Sequence, residues 1–390
     1  MNILIITPTY YPRIGGIEEC VKNLSYCITE KYDVKITIVT PFIDKNSKEY
    51  EKFGNIEIYR FFKWYSQIEN KPSKFLLCNI ATFFYLLYLF IFKNKRYDIV
   101  NIHTVALMGL PSLILSKLFN IPVVFTIHHY GSGRDISHPK ENGYFLNIYI
   151  KYILKYSDYI VVTSKTQAKY LKFLFGDLES ARIKYSIIPP GIKKVDINIP
   201  HGIEKKYIYI DEKFVVFSIG RLVKRKRYDI LLKIAEKIKY KDIVFLIAGD
   251  GPEKEKILNT IKEKDLKNVR LLGKIPEEEK HYLLLKSNLY FQCSEYEGFG
   301  ITYIEALSMG LPILAYKNDA ILEIKEKVKD GVFIFNTIEE GVHLIEEIKN
   351  NKIKIYKEDL IKKIISLYSW DVIVQKYYET FYKVIKGKNE

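Results

Sequence analysis

The stretch Ser294–Ala306, SEYEGFGITYIEA, decides how this chain is interpreted. It places two carboxylates, Glu297 and Glu305, eight positions apart around a Gly-Phe-Gly turn, and an apolar helical pattern follows directly. Gly298 and Gly300 allow close backbone approach and positive φ angles. A helix that starts there directs N–H groups and the positive end of its dipole at whatever lies above the turn. A ligand with a sugar, a diphosphate and a ribose in a row fits this layout, whereas the alternative is a surface turn with two solvated glutamates.

Length and charge set the frame for this motif. A chain of 390 residues exceeds one ordinary core, so two domains are expected. The 48% hydrophobic and 27% charged residues are typical of a folded globular protein. The net charge is +15, and residues 1–200 hold 26 lysines and arginines against 16 acidic residues. This basic surplus favours phospholipid, nucleic acid or phosphorylated substrate as a partner without choosing among them.

The cysteines and the N-terminus favour a cytoplasmic location. The four cysteines form no C-x-x-C pair, and in a chain of this size they are expected to be reduced thiols. Met1 and Asn2 run straight into Ile3–Ile6, with no basic region and no small-residue cleavage site. We therefore interpret this apolar run as a buried first strand and not as a signal peptide.

Short apolar runs alternate with helical patterns along the whole chain, which predicts an α/β fold of the doubly wound type in two halves. Many of the runs lack polar alternation, as expected for strands that are covered on both faces. A polar stretch at 192–213, interrupted by Pro200 and Gly202, marks the break between the halves. The predicted strands are 3–7, 34–40, 98–102, 122–127, 159–163, 185–188, 214–219, 243–248, 269–272, 289–292 and 312–315.

Residues 75–92, FLLCNIATFFYLLYLFIF, carry no charge over eighteen positions. That length is at the lower edge for a transmembrane helix. A strand pattern at 98–103 follows at once, and a membrane span would separate it from the strands before it. The segment is therefore expected to be a packed helix of the first domain or a helix that lies in the membrane interface, flanked by Lys93, Lys95 and Arg96.

Polar residues and glycines of the first half follow the predicted strands, where ligands bind in open parallel sheets. Gly15 and Gly16 stand at a helix start and suit close approach to a phosphate or sugar, although a tight turn is the alternative. They do not form a G-x-G-x-x-G motif. His103 and His128 each follow a buried strand, as structural groups or as catalysts. With His129 they lack the carboxylate or cysteine spacing of a metal site, so no metal is expected.

The second half places two cations after its first strand. Arg221 follows the run FVVFSIG, and Lys226 stands five residues later at a helix start. Arginine provides forked hydrogen bonds and lysine a point charge, so the pair suits a diphosphate. A solvated basic loop is the alternative. The turn Gly249-Asp250-Gly251-Pro252 ends another strand at the same sheet edge.

Taken together, these motifs resemble the retaining GT-B glycosyltransferases of family 4. The resemblance covers about residues 2–385, and the ordered set of motifs is specific although each one is weak. Ser369-Trp370, before the last helical pattern, also resembles that family. The matching motifs are Gly15-Gly16, His128 after VVFTI, Gly-Arg-Leu with Lys226 five residues after Arg221, the turn 249–252, and E-G-F-G-x4-E-A from Glu297.

The resemblance implies two Rossmann-like domains that face each other across a cleft. Residues 1–195 would bind the acceptor, with the C-terminal helix 371–390 packing back on them, and residues 196–370 would bind the nucleotide-sugar donor. The family often has Asn-Gly where this chain has Pro190-Gly191, so the turn between the domains is expected to differ. It also often has glycine at the position of Arg227, whose role the sequence leaves open.

The resemblance also implies roles for individual residues. Arg221 and Lys226 would clamp the diphosphate, Glu297 and His128 would contact the donor sugar, and Glu305 would bind the ribose hydroxyls. Such enzymes usually need neither metal nor cofactor, because cations and a helix dipole stabilise the leaving diphosphate. The other residues implied in donor binding are Gly15, Gly16, Gly298, Phe299 and Gly300.

The expected function is retaining transfer of a hexose-type sugar from a UDP- or GDP-sugar to a glycan or lipid-linked acceptor. It would serve cell envelope glycan biosynthesis at the cytoplasmic face of the membrane, with anionic lipid as a partner. A double-displacement glycosidase is disfavoured because Glu305 stands within a helix, away from the turn. The alternatives are a GT-B sugar-nucleotide epimerase or phosphorylase, and a basic membrane- or nucleic-acid-binding module without catalysis. No nucleic-acid-binding motif supports the last of these.

Overall fold

The structure is a computed structural model of the chain. It describes residues 1–13, 15–42, 44, 47–68, 71–128, 143–193, 202–238, 240 and 242–389. The chain divides into two compact units, unit 1 with Met1–Gly191 and Trp370–Glu390, and unit 2 with Ile192–Ser369. The predicted domain break at 195/196 falls within 194–201, outside the described residues.

Unit 1 is built on an eight-stranded sheet of order β3-β4-β2-β1-β5-β6-β7-β8. All neighbouring strands are parallel except β3, which pairs antiparallel with β4 at the edge. The strands are β1 (Asn2–Ile6), β2 (Lys35–Pro41), β3 (Tyr50–Phe53), β4 (Ile56–Phe61), β5 (Ile99–Ile102), β6 (Val123–Ile127), β7 (Tyr159–Val162) and β8 (Tyr185–Ile187).

Helices cover both faces of this sheet. The order of the strands reverses at β1, and right-handed crossovers then put the helix after β1 on one face and those after β4 to β7 on the other. The helices are α1 (Gly16–Lys31), α2 (Lys71–Ile91), α3 (Gly109–Leu118), α4 (Tyr144–Lys155) and α5 (Lys165–Phe175), with a 3-10 turn at Tyr65–Gln67.

The last helix of the chain, α14 (Trp370–Asn389), belongs to unit 1 and packs beside α1. The rings of Tyr32 and Tyr378 stack with their centroids 3.9 Å apart. The indole of Trp370 lies on Gly191, where a Cβ would come within 2.6 Å of the ring. The turn Pro190-Gly191, which departs from the family pattern, therefore requires glycine because the backbone passes directly under this tryptophan.

Unit 2 is built on a six-stranded, all-parallel sheet of order β11-β10-β9-β12-β13-β14. Its strands are β9 (Phe214–Ile219), β10 (Ile243–Ala248), β11 (Val269–Gly273), β12 (Leu289–Gln292), β13 (Ile313–Tyr316) and β14 (Val332–Phe335). Its helices are α6 (Ile203–Lys206), α7 (Tyr228–Lys237), α8 (Lys254–Glu263), α9 (Glu277–Lys286), α10 (Ile301–Ser308), α11 (Asp319–Val328), α12 (Ile338–Lys349) and α13 (Lys357–Tyr368), with 3-10 turns at Ile208–Ile210 and Lys224–Lys226.

The doubly wound fold predicted from the alternation of strands and helices is confirmed in both units. Strand β10 shows the physical reason, because all six of its residues are buried and they alternate between the two cores on the two faces of the sheet. An apolar run without polar alternation is therefore what this position demands. Strands β3, β4 and β14 were not predicted from the sequence pattern.

Candidate active site

The glycine turn after β12 leads into α10. Gly300 has φ 82°, and a Cβ there would lie 2.3 Å from the ring of Tyr303, so glycine is required on both counts. Asn318 Nδ2 donates to the carbonyl of Ser294 at 2.9 Å and holds the start of the loop. The N-cap residue of α10 is Gly300, which has no side chain to cap the helix. The first N–H groups of this helix are thus directed at the turn.

Glu297 lies in this turn within a group of polar side chains that we call the Lys226 cluster: Arg225, Lys226, Gln292 and Glu297. Lys226 Nζ and Gln292 Nε2 both donate to Glu297 Oε1, the amide at 2.8 Å. Arg225 Nη1 lies 3.8 Å from Oε2. Burial raises the pKa of Glu297, but Lys226 and Arg225 outweigh burial and hold it below the ordinary value. Glu297 is therefore a fixed, nearly buried carboxylate.

Two further contacts hold the Lys226 cluster in place. Tyr290 Oη donates to Gln292 Oε1 at 2.6 Å, which fixes the amide so that its NH₂ group points at Glu297 and at Ser294 Oγ. Arg225 Nη1 donates to the carbonyl of Tyr296 at 3.0 Å. Sequence reasoning missed both Arg225 and Gln292. Arg225 stands in a basic run from which only Lys226 was assigned to the diphosphate, with a solvated loop as the alternative, and a lone glutamine at a strand end carries no signal.

Arg227 acquires a role in this structure. It follows the 3-10 turn Lys224–Lys226 and has φ 49°, in the left-handed region. Its Nε and Nη2 donate to the two carboxylate oxygens of Asp229 at 3.0 and 3.1 Å. Burial raises the pKa of Asp229, but Arg227 outweighs burial and lowers it. This bidentate pair stabilises the turn that presents Lys226 at the start of α7.

Arg221 lies at the exposed end of β9, five residues before Lys226. The loop around it is tied to the end of β10, because Gly220 N donates to Ala248 O at 3.0 Å and Leu222 N donates to Asp250 O at 2.9 Å. The turn 249–252 therefore braces the Arg221 loop. Both cations stand beyond the carboxyl end of β9, the edge at which open parallel sheets bind ligands.

Glu305 belongs to a second group of charges, which we call the Lys280 cluster: Glu277, Lys280 and Glu305. Lys280 on α9 is buried, and its Nζ lies 3.0 Å from Glu305 Oε1 and also pairs with Glu277. Burial lowers the pKa of Lys280, but the two carboxylates outweigh burial and raise it. A hydrogen bond from His281, together with Lys280, lowers the pKa of Glu277 to about 2. Sequence reasoning missed Lys280, although its spacing from Glu277 was visible.

In unit 1 the predicted glycines begin α1. Gly16 is the first residue of the helix and Gly15 precedes it in an extended conformation. The carboxylate of Glu18 is buried beside Gly15, where a Cβ would lie 2.6 Å from Oε2, and it pairs with Arg13 at 3.5 Å. An acidic side chain thus stands where the sequence predicted approach of a phosphate or sugar.

The two histidines of unit 1 form one hydrogen-bonded chain with Asn101. The amide of Asn101 donates to Thr126 Oγ1 at 2.9 Å, so its Oδ1 accepts from His103 Nε2–H at 2.5 Å. His103 Nδ1 then accepts from His128 Nε2–H at 2.8 Å. Burial lowers the pKa of His103 to about 3, which keeps the ring neutral. His103 is therefore a structural group that fixes the ring of His128.

Within the described residues, no group of three or more histidines, cysteines and carboxylates is placed to hold a metal ion. His129, the third member of the metal alternative, lies outside those residues.

In unit 2 the structure brings Lys226 into contact with Glu297, and Lys280 into contact with Glu305. Gly15, Gly16 and His128 belong to unit 1.

Two protein-family models match the chain. The model for glycosyltransferase family 4 matches residues 14–194, and the model for glycosyl transferases group 1 matches residues 203–366. The first match lies in the unit with the histidine chain, and the second contains the Lys226 and Lys280 clusters. Together they account for most of the sequence.

Curated glycosyltransferases also match most of the chain. The chain is 26% identical to the alpha-monoglucosyldiacylglycerol synthase of Acholeplasma laidlawii over 381 residues, which covers 90% of this chain and 89% of that protein. It is also 26% identical to one component of the human phosphatidylinositol N-acetylglucosaminyltransferase over 332 residues, covering 83% of this chain and 63% of the relative.

Solved structures share the fold over the full chain. Sucrose-phosphate synthase from Thermosynechococcus elongatus superposes with a TM-score of 0.79 at 18% identity, covering 99% of both chains. HepE from Anabaena, solved in complex with UDP-glucose, gives 0.71 at 17% identity and covers 98% of this chain and all of its own. With both family models matched in order along the two units, this chain belongs to the GT-B glycosyltransferases of family 4.

Proposed function

We propose that the protein transfers a hexose-type sugar, with retained anomeric configuration, from a nucleotide-diphosphate sugar to a lipid-linked or glycan acceptor. The observation that carries the donor part is the Lys226 cluster. It sets a buried lysine and carboxylate beside the glycine turn, at the uncapped N-terminus of α10. A cation and backbone N–H groups at one sheet edge suit a diphosphate. The Anabaena relative in complex with UDP-glucose supports this choice of donor.

Each residue then has one task in the transfer. Lys226 and Arg221 hold the diphosphate and stabilise the charge that develops on it as the bond to the sugar breaks. Glu297 and His128 contact the sugar, and Glu305 accepts hydrogen bonds from the ribose. The acceptor hydroxyl forms its new bond on the face of the sugar that the diphosphate leaves, and the departing diphosphate takes the hydroxyl proton. No metal or cofactor is assigned a step.

A melting screen against UDP, GDP and a panel of nucleotide sugars tests the donor. A ligand that binds the native state raises the melting temperature in proportion to the logarithm of its concentration over Kd. NMR of the product made from the best donor then reports the anomeric configuration. Conversion of the donor in the absence of any acceptor would show the epimerase alternative instead, and inversion would contradict the proposed mechanism.

The proposed location is the cytoplasmic face of the membrane, and helix α2 supports it. Ser73–Ile91 is long and apolar enough to cross a membrane, and 28% of its most apolar eighteen-residue stretch is buried in the structure. The helix packs in the layer over the sheet of unit 1, where Phe90 meets Phe119, the residue after α3, with ring centroids 5.0 Å apart. This packing favours a surface position over a span. Its outward side chains form what we call the α2 surface: Leu76, Leu77, Ile80, Phe84, Tyr88 and Ile91.

Basic residues beside the α2 surface are fewer than the sequence suggested. Lys93 and Arg96 are exposed, but Lys95 is bound by Glu57 at 2.6 Å and is partly buried. Helix α14, which carries Lys383, Lys386 and Lys388, lies with α1 on the opposite face of the sheet. Lys383 and Lys386 therefore do not extend the surface. The two relatives named for diacylglycerol and phosphatidylinositol substrates support a lipid acceptor.

Flotation with anionic liposomes at low and high salt tests the membrane proposal. Loss of binding in salt indicates electrostatic attachment, and binding that survives salt indicates inserted apolar side chains. Phe84→Ser, at a 64% exposed position, should weaken the salt-resistant part. Tyr356→Ser, at a 66% exposed position of unit 2, is the matched control. Absence of flotation at low salt would contradict the membrane location and leave the transfer reaction untouched.

A further inference from the structure

A groove of about 800 Å³ lies in unit 1 between the β3–β4 hairpin and α2. Eight of the twelve residues that line it are aromatic. Phe61 stacks on Tyr85 with ring centroids 5.0 Å apart, and Tyr50 packs against Tyr59 at 4.9 Å. Trp64 is 66% exposed at its rim. We call this feature the aromatic groove. Its volume and apolar lining are those of a small-molecule site.

The charged side chains around the aromatic groove indicate the charge of the ligand that it would bind. The rim carries Lys63 and Lys93, and Glu49 pairs with Lys63. Lys93 Nζ lies 5.9 Å from the centre of the Tyr88 ring, so its charge is held over the groove. The phenol of Tyr50 donates to the carboxylate of Glu57, at 3.4 Å. The rim therefore has a positive excess over an apolar floor.

The position of the aromatic groove, beside the α2 surface, also bears on the kind of ligand that it would bind. Tyr88 belongs both to its lining and to the α2 surface, so the groove opens at the edge of the row of exposed apolar side chains. An amphiphile that leaves a bilayer at this surface would keep its hydrocarbon part on aromatic rings throughout. Tyrosine and tryptophan suit such a boundary because each joins an apolar ring to a polar tip.

We infer that the aromatic groove binds one anionic phospholipid, with its hydrocarbon chains on the aromatic rings and its phosphate between Lys63 and Lys93. This inference rests on the proposed lipid-linked reaction and names a lipid site within it. A saccharide is the competing ligand for an aromatic groove. It would need hydrogen-bonding side chains directed at its hydroxyls, whereas Glu49 is held by Lys63 and Tyr50 by Glu57.

Trp64 reports occupancy directly, because the chain has two tryptophans and the other, Trp370, is buried in the core where α1 and α14 pack on the sheet. The full chain is titrated with dihexanoylphosphatidylglycerol below its micellar concentration, without nucleotide. We expect a saturable blue shift of the emission that is absent in Trp64→Phe. A shift that persists in this variant would come from Trp370 and would overturn the assignment.

Charge and headgroup controls complete the test. Lys63→Gln and Lys93→Gln should each weaken phosphatidylglycerol binding about fivefold, the contribution of one cation near anionic lipid. Lys376→Gln, an exposed lysine on α14, should leave binding unchanged. Equal affinity for dihexanoylphosphatidylcholine, or a saturable response to maltose in place of the lipid, would refute the inference.

The same lipid could be the acceptor or a resident of the bilayer. Mass spectrometry after incubation with the best nucleotide sugar separates the two, since only an acceptor gains a sugar, and either result supports the site. The melting response to UDP is measured on the same variants. Absence of lipid binding by the unchanged protein, with an intact melting response to UDP or GDP, overturns the groove alone, and absence of a response to both nucleotides overturns the proposed donor.

Discussion

Replacing Lys226 by methionine should lower kcat/KM by about 10²–10³-fold, the scale for one charge contact to a developing anion. Methionine keeps most of the aliphatic stem, so the change removes the charge and leaves the packing. Lys224→Met is the matched control, because Lys224 is exposed in the same basic run, two residues earlier. The assay is turnover of the best nucleotide sugar over a range of donor concentrations.

The same substitution has a cost in stability that follows from its contacts. The side chains of Lys226 and Glu297 are only 10% and 11% exposed, and breaking a buried pair costs about 3–5 kcal/mol. Glu297 retains the amide of Gln292 at 2.8 Å and Arg225 at 3.8 Å, so the cost should lie nearer ~1–3 kcal/mol. Urea unfolding measures this loss of free energy.

A double-mutant cycle separates the two effects. Glu297→Gln alone should depress turnover more than donor binding, because this side chain is assigned to the sugar. Lys226→Met combined with Glu297→Gln should lose less stability than the sum of the single changes, since the second change removes the charge that the first leaves unpaired. Additive losses would show that the pair is not coupled. Normal turnover in Lys226→Met would refute its role in the reaction.

The pH dependence of stability has a defined sign. The folded pKa of Glu297 is lowered, so its contribution is present above the unfolded carboxyl pKa and is lost as pH falls through the folded value. In Lys226→Met the largest opposing charge is gone, so the pKa of Glu297 rises relative to the wild type. The stability difference between the variant and the wild type should therefore narrow as pH falls below the ordinary carboxyl range.

The remaining predictions concern the nucleotide and the histidine chain. Glu305→Ala should weaken nucleotide binding by ~1–3 kcal/mol in calorimetry. Lys280→Met should weaken nucleotide binding less, because Glu305 keeps its charge but loses the contact at 3.0 Å that fixes it. Equal or reversed effects would mean that Glu305 does not contact the nucleotide. His103→Ala should lower kcat by about 10²-fold, because this is the usual effect of misplacing a group at the reacting centre, here His128. KM should stay nearly unchanged. An effect confined to KM would contradict the positioning role of His103.

Much of the fold could be predicted because it depends on local pattern. Strand β10 is six apolar residues in a row, and both its ends were predicted to the residue. Strand β3 was missed because Tyr50–Phe53 is largely exposed, with no buried face to set an alternation. Strand β4 does carry a buried alternation at Ile56 and Ile58, which sequence reasoning overlooked. Strand β14 was missed because its apolar run has only four residues and closely follows the lysine-rich end of a helix.

The candidate site was predictable only in part, for a related reason. Glu297 and Glu305 carry a motif, but the residues that hold them are selected by contacts that are distant in sequence. Arg225 and Lys280 are 72 and 25 positions from their partners, and each stands in a charged run typical of a solvated surface. Two nearby signals existed: Asp229 stands two residues after Arg227, and Glu277 stands three residues before Lys280, and both pairs form.

Residual charge distinguishes the two clusters of unit 2 and explains why each suits one part of the proposed donor. The Lys226 cluster, with Arg221 at the same sheet edge, has three cations against one carboxylate, an excess of two positive charges. A nucleotide-sugar diphosphate carries two negative charges, so the proposed donor would neutralise this excess.

The Lys280 cluster has the opposite balance, two carboxylates against one lysine. Its excess of negative charge repels phosphate and accepts hydrogen bonds from neutral hydroxyl donors, which a ribose supplies. Coulomb energies at such partly buried sites reach several kcal/mol for charges in contact, so reversing the ligand would cost more than any single hydrogen bond could return. In the proposed reaction, charge would therefore set the orientation of the donor before any sugar-specific contact is made, and sugar specificity would be left to the side chains around Glu297.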